Sequence, residues 1–248
     1  MPQGALFSYN MKCIILAAGE GVRMKPLTDK TPKPMLKVAG KPILEHILNH
    51  LPDKVDRVIL VVGYLHQQIH DHFGHHFASP RRSLQRSAGD IKIDYVVQPE
   101  KLGTYRALEL CKDLVGDGKF IVTYADDLHG AENFKKCSES DTCAILALEA
   151  EDPRKFGVVE VNSDGMVIGM EEKPENPKSN LVSTGVLVLD KNIFNYPARR
   201  HPNGEYYLTD SIAQMIEAGH KFQAIKSNFW LPIGYPEDLK KAEEKLKA

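Results

Sequence analysis

Two glycines, an arginine and a lysine crowd into one short stretch of this chain. Residues 15–36 read ILAAGEGVRMKPLTDKTPKPML: an apolar run leads into Gly19 and Gly21, then Arg23, then Lys33 set between Pro32 and Pro34. Glycines behind a strand let the backbone approach a ligand and turn several N–H groups toward one point, which makes a nest for an anion. Arg23 adds a planar fork of donors that matches phosphate oxygens, and Lys33 adds a point charge on a stiffened segment. The chemistry these groups suit is the binding of a polyphosphate. Two familiar phosphate loops are nevertheless absent. Gly21 is followed by Val22-Arg23, so no Walker sequence forms. Met24 stands where a GxGxxG dinucleotide loop needs its third glycine, which argues against a dinucleotide oxidoreductase.

Carboxylates form a second group. FIVTYADDLHG, residues 120–130, is an apolar run ending in Asp126-Asp127. Open α/β sheets place ligands at the carboxyl ends of their strands, and oxygen ligands suit Mg²⁺. The pair is therefore a metal candidate, the alternative being that the two acids cap the following helix. EEKP, residues 171–174, sets Glu172 beside Lys173, a pair that would also suit an exposed turn. In HQQIHDHFGHH, His66 and His70 are four apart, a spacing found in zinc sites. No cysteine or HExxH pattern joins them, and the run reads as an exposed amphipathic helix with its terminal loop.

These groups need a scaffold, and the chain supplies one by alternation. KCIILAA, RVILVVG, IKIDYVV and KFIVTYA read as short buried strands. Between them KPILEHILNHL (with Pro42 in its first turn), YLHQQIHDHFG (ending at Gly74) and GTYRALELCKDLV read as helices. That order predicts an α/β fold with a mainly parallel sheet. Further on, FGVVEVNSDGMVIGMEEKP reads as a hairpin turning at Asp164-Gly165 and STGVLVLD as a strand. YYLTDSIAQMIEAG reads as a helix capped near Thr209 or Asp210 and stopped by Gly219. Residues 78–90 are polar and basic and suit a mobile surface loop. Residues 1–10 read as an extension before a single domain of residues 11–248.

Bulk properties narrow the class. With 42% hydrophobic and 26% charged residues, the 248-residue chain is an ordinary globular protein with a sizeable core. A formal net charge of −1 gives no excess of positive charge for general nucleic-acid binding. No apolar stretch approaches a membrane span, and MPQGALFSYN has neither the basic start nor the apolar run of a signal peptide. Cys13, Cys111, Cys137 and Cys143 form no CxxC pair, which suits a reducing cytoplasm, with Cys13 a small buried residue.

The chain resembles the sugar-1-phosphate nucleotidyltransferases, with glucose-1-phosphate thymidylyltransferases and uridylyltransferases among them. Gly19, Gly21, Arg23, Pro32 and Lys33 stand as that family's signature. QPEKLGT, FGVVE, EEKP, YLTD and IGYPEDL follow in the family's order, so the likeness runs from Met11 to about Leu239. It implies a Rossmann-like mixed sheet flanked by helices, of nucleotide-diphospho-sugar transferase type. Many relatives carry a further C-terminal β-helix, for which this chain is too short. The implied reaction joins a nucleoside triphosphate and a sugar 1-phosphate into a nucleotide sugar, releasing pyrophosphate with help from Mg²⁺, for which the family's aspartate aligns with Asp126. In that scheme Arg23 and the backbone of Ala18, Gly19 and Gly21 hold the triphosphate, and Lys33 lies beside the reacting phosphates. Gln98, Gly103 and Thr104 meet the nucleoside, where an amide supplies one donor and one acceptor suited to a pyrimidine, UTP or dTTP. Lys173 orients the sugar phosphate, while Gly157, Glu172, Ser183 and Gly185 face the sugar. Homo-oligomers are common in the family.

Three positions depart from the family. Pro232 stands where relatives carry a second metal-binding aspartate, leaving Asp127, Glu237 and Asp238 as nearby acids. Tyr105 replaces a small residue near the nucleotide, where it would stack on the base or block it. Ser183 replaces a longer polar residue. These departures motivate a second expectation, a non-catalytic nucleotide- or sugar-phosphate-binding relative.

Overall fold

The computed structural model describes residues 10–80 and 89–247. Most of the basic stretch expected as a mobile loop, and residues 1–9 of the expected extension, lie outside the described residues.

Four parallel strands make the centre of the molecule. β1 (Met11–Ala17) is hydrogen-bonded on one side to β4 (Val55–Val62) and on the other to β7 (Phe120–Tyr124), and β4 continues to β6 (Ile91–Val97). Two short strands, β2 (Lys37–Val38) and β3 (Lys41–Pro42), pair with each other, and β5 (His76–Phe77) borders β6. Beyond β7 the sheet turns antiparallel through β12 (Leu181–Leu189), β10 (Gly157–Val161) and β11 (Val167–Glu172). β12 also pairs with β9 (Cys143–Glu149), which carries β13 (Phe222–Lys226) in parallel. A separate ribbon joins β8 (Asp127–His129) to β14 (Trp230–Pro232). The expected mixed sheet with a parallel core is present.

The period of two along each strand divides the core between two faces. Cys13, Ile15 and Ala17 point to one face, where α1 (Ile43–His50), α2 (His66–Phe73), α4 (Ala131–Ser138) and α6 (Pro236–Lys247) cover them. Ile14, with Ile59 and Val122, points to the other, under α3 (Thr104–Glu109) and α5 (Leu208–Glu217). The β10–β11 hairpin turns at Asp164-Gly165 as the sequence predicts: Asn162 Oδ1 accepts from the N–H groups of Asp164 and Met166, and Gly165 has φ +75°.

Local expectations differ at four places. α3 is shorter than its apolar pattern and continues only as turns after Glu109. Pro42 precedes α1 rather than entering it. α5 has Tyr207 at its N-cap position with no side-chain cap. Thr209 instead donates to Glu172 Oε2 at 2.7 Å, and Asp210 pairs with Arg199 at 2.7 Å, so both expected caps are engaged elsewhere. Tyr105 is 1% exposed and packed with the core beneath α3, so it neither stacks on nor blocks a ligand.

Candidate active site

Two cavities open side by side at the carboxyl ends of the parallel strands. One, of about 450 Å³, is lined by the β1-to-Arg23 loop, Gln98, Lys101, Gly103, Thr104 and Glu205. The other, of about 760 Å³, is lined by Gly157, Glu172, Ser183, Gly185, Tyr207, Trp230 and the segment 232–235. Arg23, Lys33, Thr104, Tyr124, Asp126 and Lys173 line both. Three cations and one carboxylate thus mark the seam between the compartments.

The glycine loop is built for this placement. Gly19 and Ala18 line the smaller cavity, and the position of a Cβ on Gly19 is open space. Gly21 does not line it. With φ +63°, it packs where a Cβ would lie 3.0 Å from both Thr28 and Lys33, and Thr28 Oγ1 donates to its carbonyl at 2.9 Å. Gly21 therefore locks the loop onto Lys33. The Lys33 side chain is 9% exposed and its Nζ donates to Asp126 Oδ2 at 2.7 Å. Desolvating a lysine without such a partner would be costly.

Asp126 and Asp127 do not cap the following helix. The N-cap of α4 is Gly130, with no side-chain bond. Asp127 lies directly across the β8–β14 ribbon from Pro232, and its Oδ2 accepts from Trp230 Nε1 at 3.2 Å. Burial, together with the neighbouring Asp126, pushes the Asp127 carboxyl well above the usual carboxylate range. Of the other nearby acids, Asp238 accepts from the N–H groups of Gly234 and Tyr235 at 3.0 and 2.9 Å, and Glu237 lines neither cavity. Asp126 keeps a half-exposed side chain at the seam. Among the described residues no three His, Cys, Asp or Glu side chains gather as a metal cage. One oxygen donor beside a cavity lined by Arg23, Lys33 and Lys173 fits Mg²⁺, which characteristically takes one or two carboxylates and completes its shell with phosphates and water.

On the larger cavity's wall, Lys173 holds a left-handed backbone, φ +44°, a conformation that a non-glycine residue adopts at a cost and that clusters at functional sites. Its Nζ lies 3.0 Å from Glu172 Oε1 and 5.2 Å from the centre of the Tyr207 ring. Gly157 admits Glu172 and Met170 close to its backbone, a Cβ there lying 3.5 and 3.2 Å from them. Gly185 has φ +92°, and a Cβ there would lie 2.7 Å from the Tyr124 ring. Behind this wall His129 Nε2 bonds the Thr184 carbonyl at 2.8 Å, and burial lowers the His129 pKa to about 4.

Gln98 and Gly103 both line the smaller cavity, with Gln98 Nε2 reaching 3.5 Å to the Gly103 carbonyl. Gly103, φ +93°, also lies so near Tyr206 that a Cβ would come 2.5 Å from its carbonyl oxygen. Lys101 and Glu20, from opposite loops, form an ion pair at this cavity's mouth. His66 bonds the Gly63 carbonyl and His70 packs on Tyr95 and His75, so the histidine run stays outside both cavities.

Sequence reasoning brought Arg23, Lys33, Asp126 and Lys173 to one place, although 150 residues separate the first from the last. It missed Tyr124, Tyr207, Trp230 and Tyr235. Tyr124 carries a legible signal, since it ends the apolar strand two residues before Asp126. Tyr207 and Tyr235 fall inside the YLTD and IGYPEDL stretches but carry no chemical pattern of their own, and neither does Trp230 in the three-residue strand β14.

The nucleotidyl transferase family model matches residues 12–248. The chain is 37% identical over 243 residues to the bifunctional protein GlmU of Methanocaldococcus jannaschii, covering 95% of this chain and 54% of that one. It thus spans about half the length of the first curated relatives it matches. It is 33% identical to a UTP–glucose-1-phosphate uridylyltransferase, AglF, of Haloferax volcanii, covering 95% of this chain and 96% of AglF. Among solved structures, one assigned as a glucose-1-phosphate thymidylyltransferase from Bacillus anthracis superposes with a TM-score of 0.80 at 26% identity, covering 95% and 94% of the two chains. A UDP-glucose pyrophosphorylase complexed with UDP-glucose shares the fold, with a TM-score of 0.81 at 24% identity, covering 96% and 98%.

Proposed function

The chain belongs to the nucleotidyl transferase family, and from that premise we propose that it joins a pyrimidine nucleoside triphosphate, UTP or dTTP, to a sugar 1-phosphate. The observation that carries this reading is the seam, where two cavities share Arg23, Lys33 and Lys173. A reaction between two polyanions needs such a line of cations. The similarity to AglF supports UTP and glucose 1-phosphate as first substrates. We take residues 11–248 as one catalytic unit working in the cytoplasm. No described helix is long and apolar enough to cross a membrane, and the four cysteines are buried and paired in no disulfide.

In this mechanism the nucleoside lies against Gln98, Gly103 and Thr104, with the triphosphate along Ala18, Gly19 and the loop that Gly21 locks in place. The sugar lies against Gly157, Glu172, Ser183 and Gly185. An oxygen of the sugar phosphate attacks the α-phosphorus, and the bond from that phosphorus to pyrophosphate breaks. A phosphate monoester is largely dianionic at neutral pH and needs no strong base. Arg23 receives the departing pyrophosphate, Lys33 neutralises the reacting phosphates, and Lys173 steers the attacking one. Glu172, held by Thr209, accepts hydrogen bonds from sugar hydroxyls. Asp126 would hold Mg²⁺, which when bound supplies charge neutralisation on the phosphates.

Pyrophosphate release with UTP, dTTP, CTP, ATP and GTP, each with pooled sugar 1-phosphates and Mg²⁺, tests the reading. Release with UTP or dTTP is expected. Silence across the panel from folded protein would overturn it. Binding without release would favour a non-catalytic relative, a reading to which Pro232 opposite Asp127 lends its one specific observation.

A further inference from the structure

Two of the three seam cations rest on tyrosine rings. The Arg23 guanidinium carbon lies 5.3 Å from the centre of the Tyr235 ring, and Lys173 Nζ lies 5.2 Å from that of Tyr207. Both distances fall within the roughly 6 Å over which a cation is drawn to an aromatic face. The third cation, Lys33, is held by the Asp126 carboxylate, while Lys173 has the Glu172 carboxylate as well as its ring. Neither ring belongs to the main core. Tyr235 is 48% exposed, while Tyr207 is half-buried and stands at the N-cap of α5.

Each ring is itself held. The N–H of Tyr235 donates to Asp238 Oδ2, which fixes the turn into α6. The Tyr207 hydroxyl accepts from Asn203 Nδ2 at 2.6 Å, and the His201 ring meets the Tyr207 ring edge-on. Both rings line the larger cavity, and their two cations reach the seam from different elements.

Resting on the reading of the site given above, we propose that Tyr235 and Tyr207 are positioning residues, each fixing one cation for one substrate. Tyr235 sets Arg23 for the triphosphate, and Tyr207 sets Lys173 for the sugar phosphate. A tyrosine face suits this task better than a second carboxylate would. It orients the cation without adding a further negative charge beside it, which would compete with the incoming phosphate. Lys173 needs such a guide because Glu172 alone would draw its ammonium toward the sugar hydroxyls.

The test is a crossed set of variants: Tyr235→Leu, Tyr207→Leu, and the corresponding Phe substitutions that keep each ring. Initial rates with varied UTP and varied glucose 1-phosphate, and calorimetric binding of each alone, are measured on all four and on the unaltered protein. Tyr235→Leu should raise KM and Kd for UTP roughly fivefold and leave those for glucose 1-phosphate unchanged. Tyr207→Leu should do the reverse; Tyr235→Phe should behave as the unaltered protein, and Tyr207→Phe, which keeps the ring but not the Asn203 bond, should recover most of what Tyr207→Leu loses. A merely structural role would move both substrates together or fail rescue by Phe, and either result would overturn the proposal, as would unchanged constants. If the unaltered protein binds both substrates without turnover, the transferase reading fails while the crossed pattern is still decided by binding. If it binds neither, both readings fall.

Discussion

Lys33 and Asp126 show how a single contact serves folding and chemistry together. The lysine is nearly buried and its ammonium is satisfied by the Asp126 carboxylate at 2.7 Å. Asp126→Ala is therefore expected to cost twice. Pyrophosphate release should fall roughly 100-fold, and the melting temperature should drop because Lys33 is left desolvated without its partner. Circular dichroism and rate measurements on one preparation separate the two effects. His129 makes the second case at this scale. Burial holds its pKa at about 4, against an ordinary 6.5. Between those values the unfolded chain binds a proton that the folded chain refuses, so stability rises with pH across the window. The contribution is complete above about pH 6.5 and is lost as the pH falls toward 4, on the order of 3 kcal/mol in all. His129→Gln, which keeps a donor for the Thr184 carbonyl, should flatten the pH dependence of denaturant midpoints in that window. An unchanged profile would show that His129 does not carry it.

Among the elements, the loops around the seam depend on glycines that do different work. Gly19 faces open space, whereas Gly103 lies where a Cβ would meet the Tyr206 carbonyl at 2.5 Å. Gly103→Ala is expected to cost about 3 kcal/mol, which for a chain of this length lowers the melting temperature by roughly 6–12 °C. Gly19→Ala should fold normally, its effect confined to nucleotide affinity. Thermal melts of both variants would check this contrast. The same pair shows what could be read in advance. Alternating apolar runs foretold the parallel core because strands buried on both faces need them, and the hairpin at Asp164-Gly165 announced itself through its turn residues. Gly19 and Lys33 were legible because their types match phosphate. The close approach of Gly103 to Tyr206 was not, since it joins residues 103 apart, and no local pattern encodes a long-range contact. Tyr105 misled for the same reason. Its neighbours in the chain are cavity residues, but the turn of α3 sends its ring into the core.

At the scale of the whole molecule, the parallel centre is the most protected part. β1 is paired on both sides and covered on both faces, with Cys13, Ile14 and Ile15 wholly buried. Amide hydrogen exchange should accordingly be slowest in β1, β4 and β7 and faster in β14 and in the β2–β3 ribbon, each paired with only one short neighbour. Equal protection across these strands would contradict that ranking. The chain holds one tryptophan, Trp230, and the fold sets it in the wall of the larger cavity, against Phe156 and hydrogen-bonded to Asp127. Its ultraviolet emission thus comes from a single place, untouched by any second indole. The smaller cavity does not include it. The protein carries its own fluorophore for one compartment, so the order in which the two fill becomes a matter of stopped-flow light, read without a label.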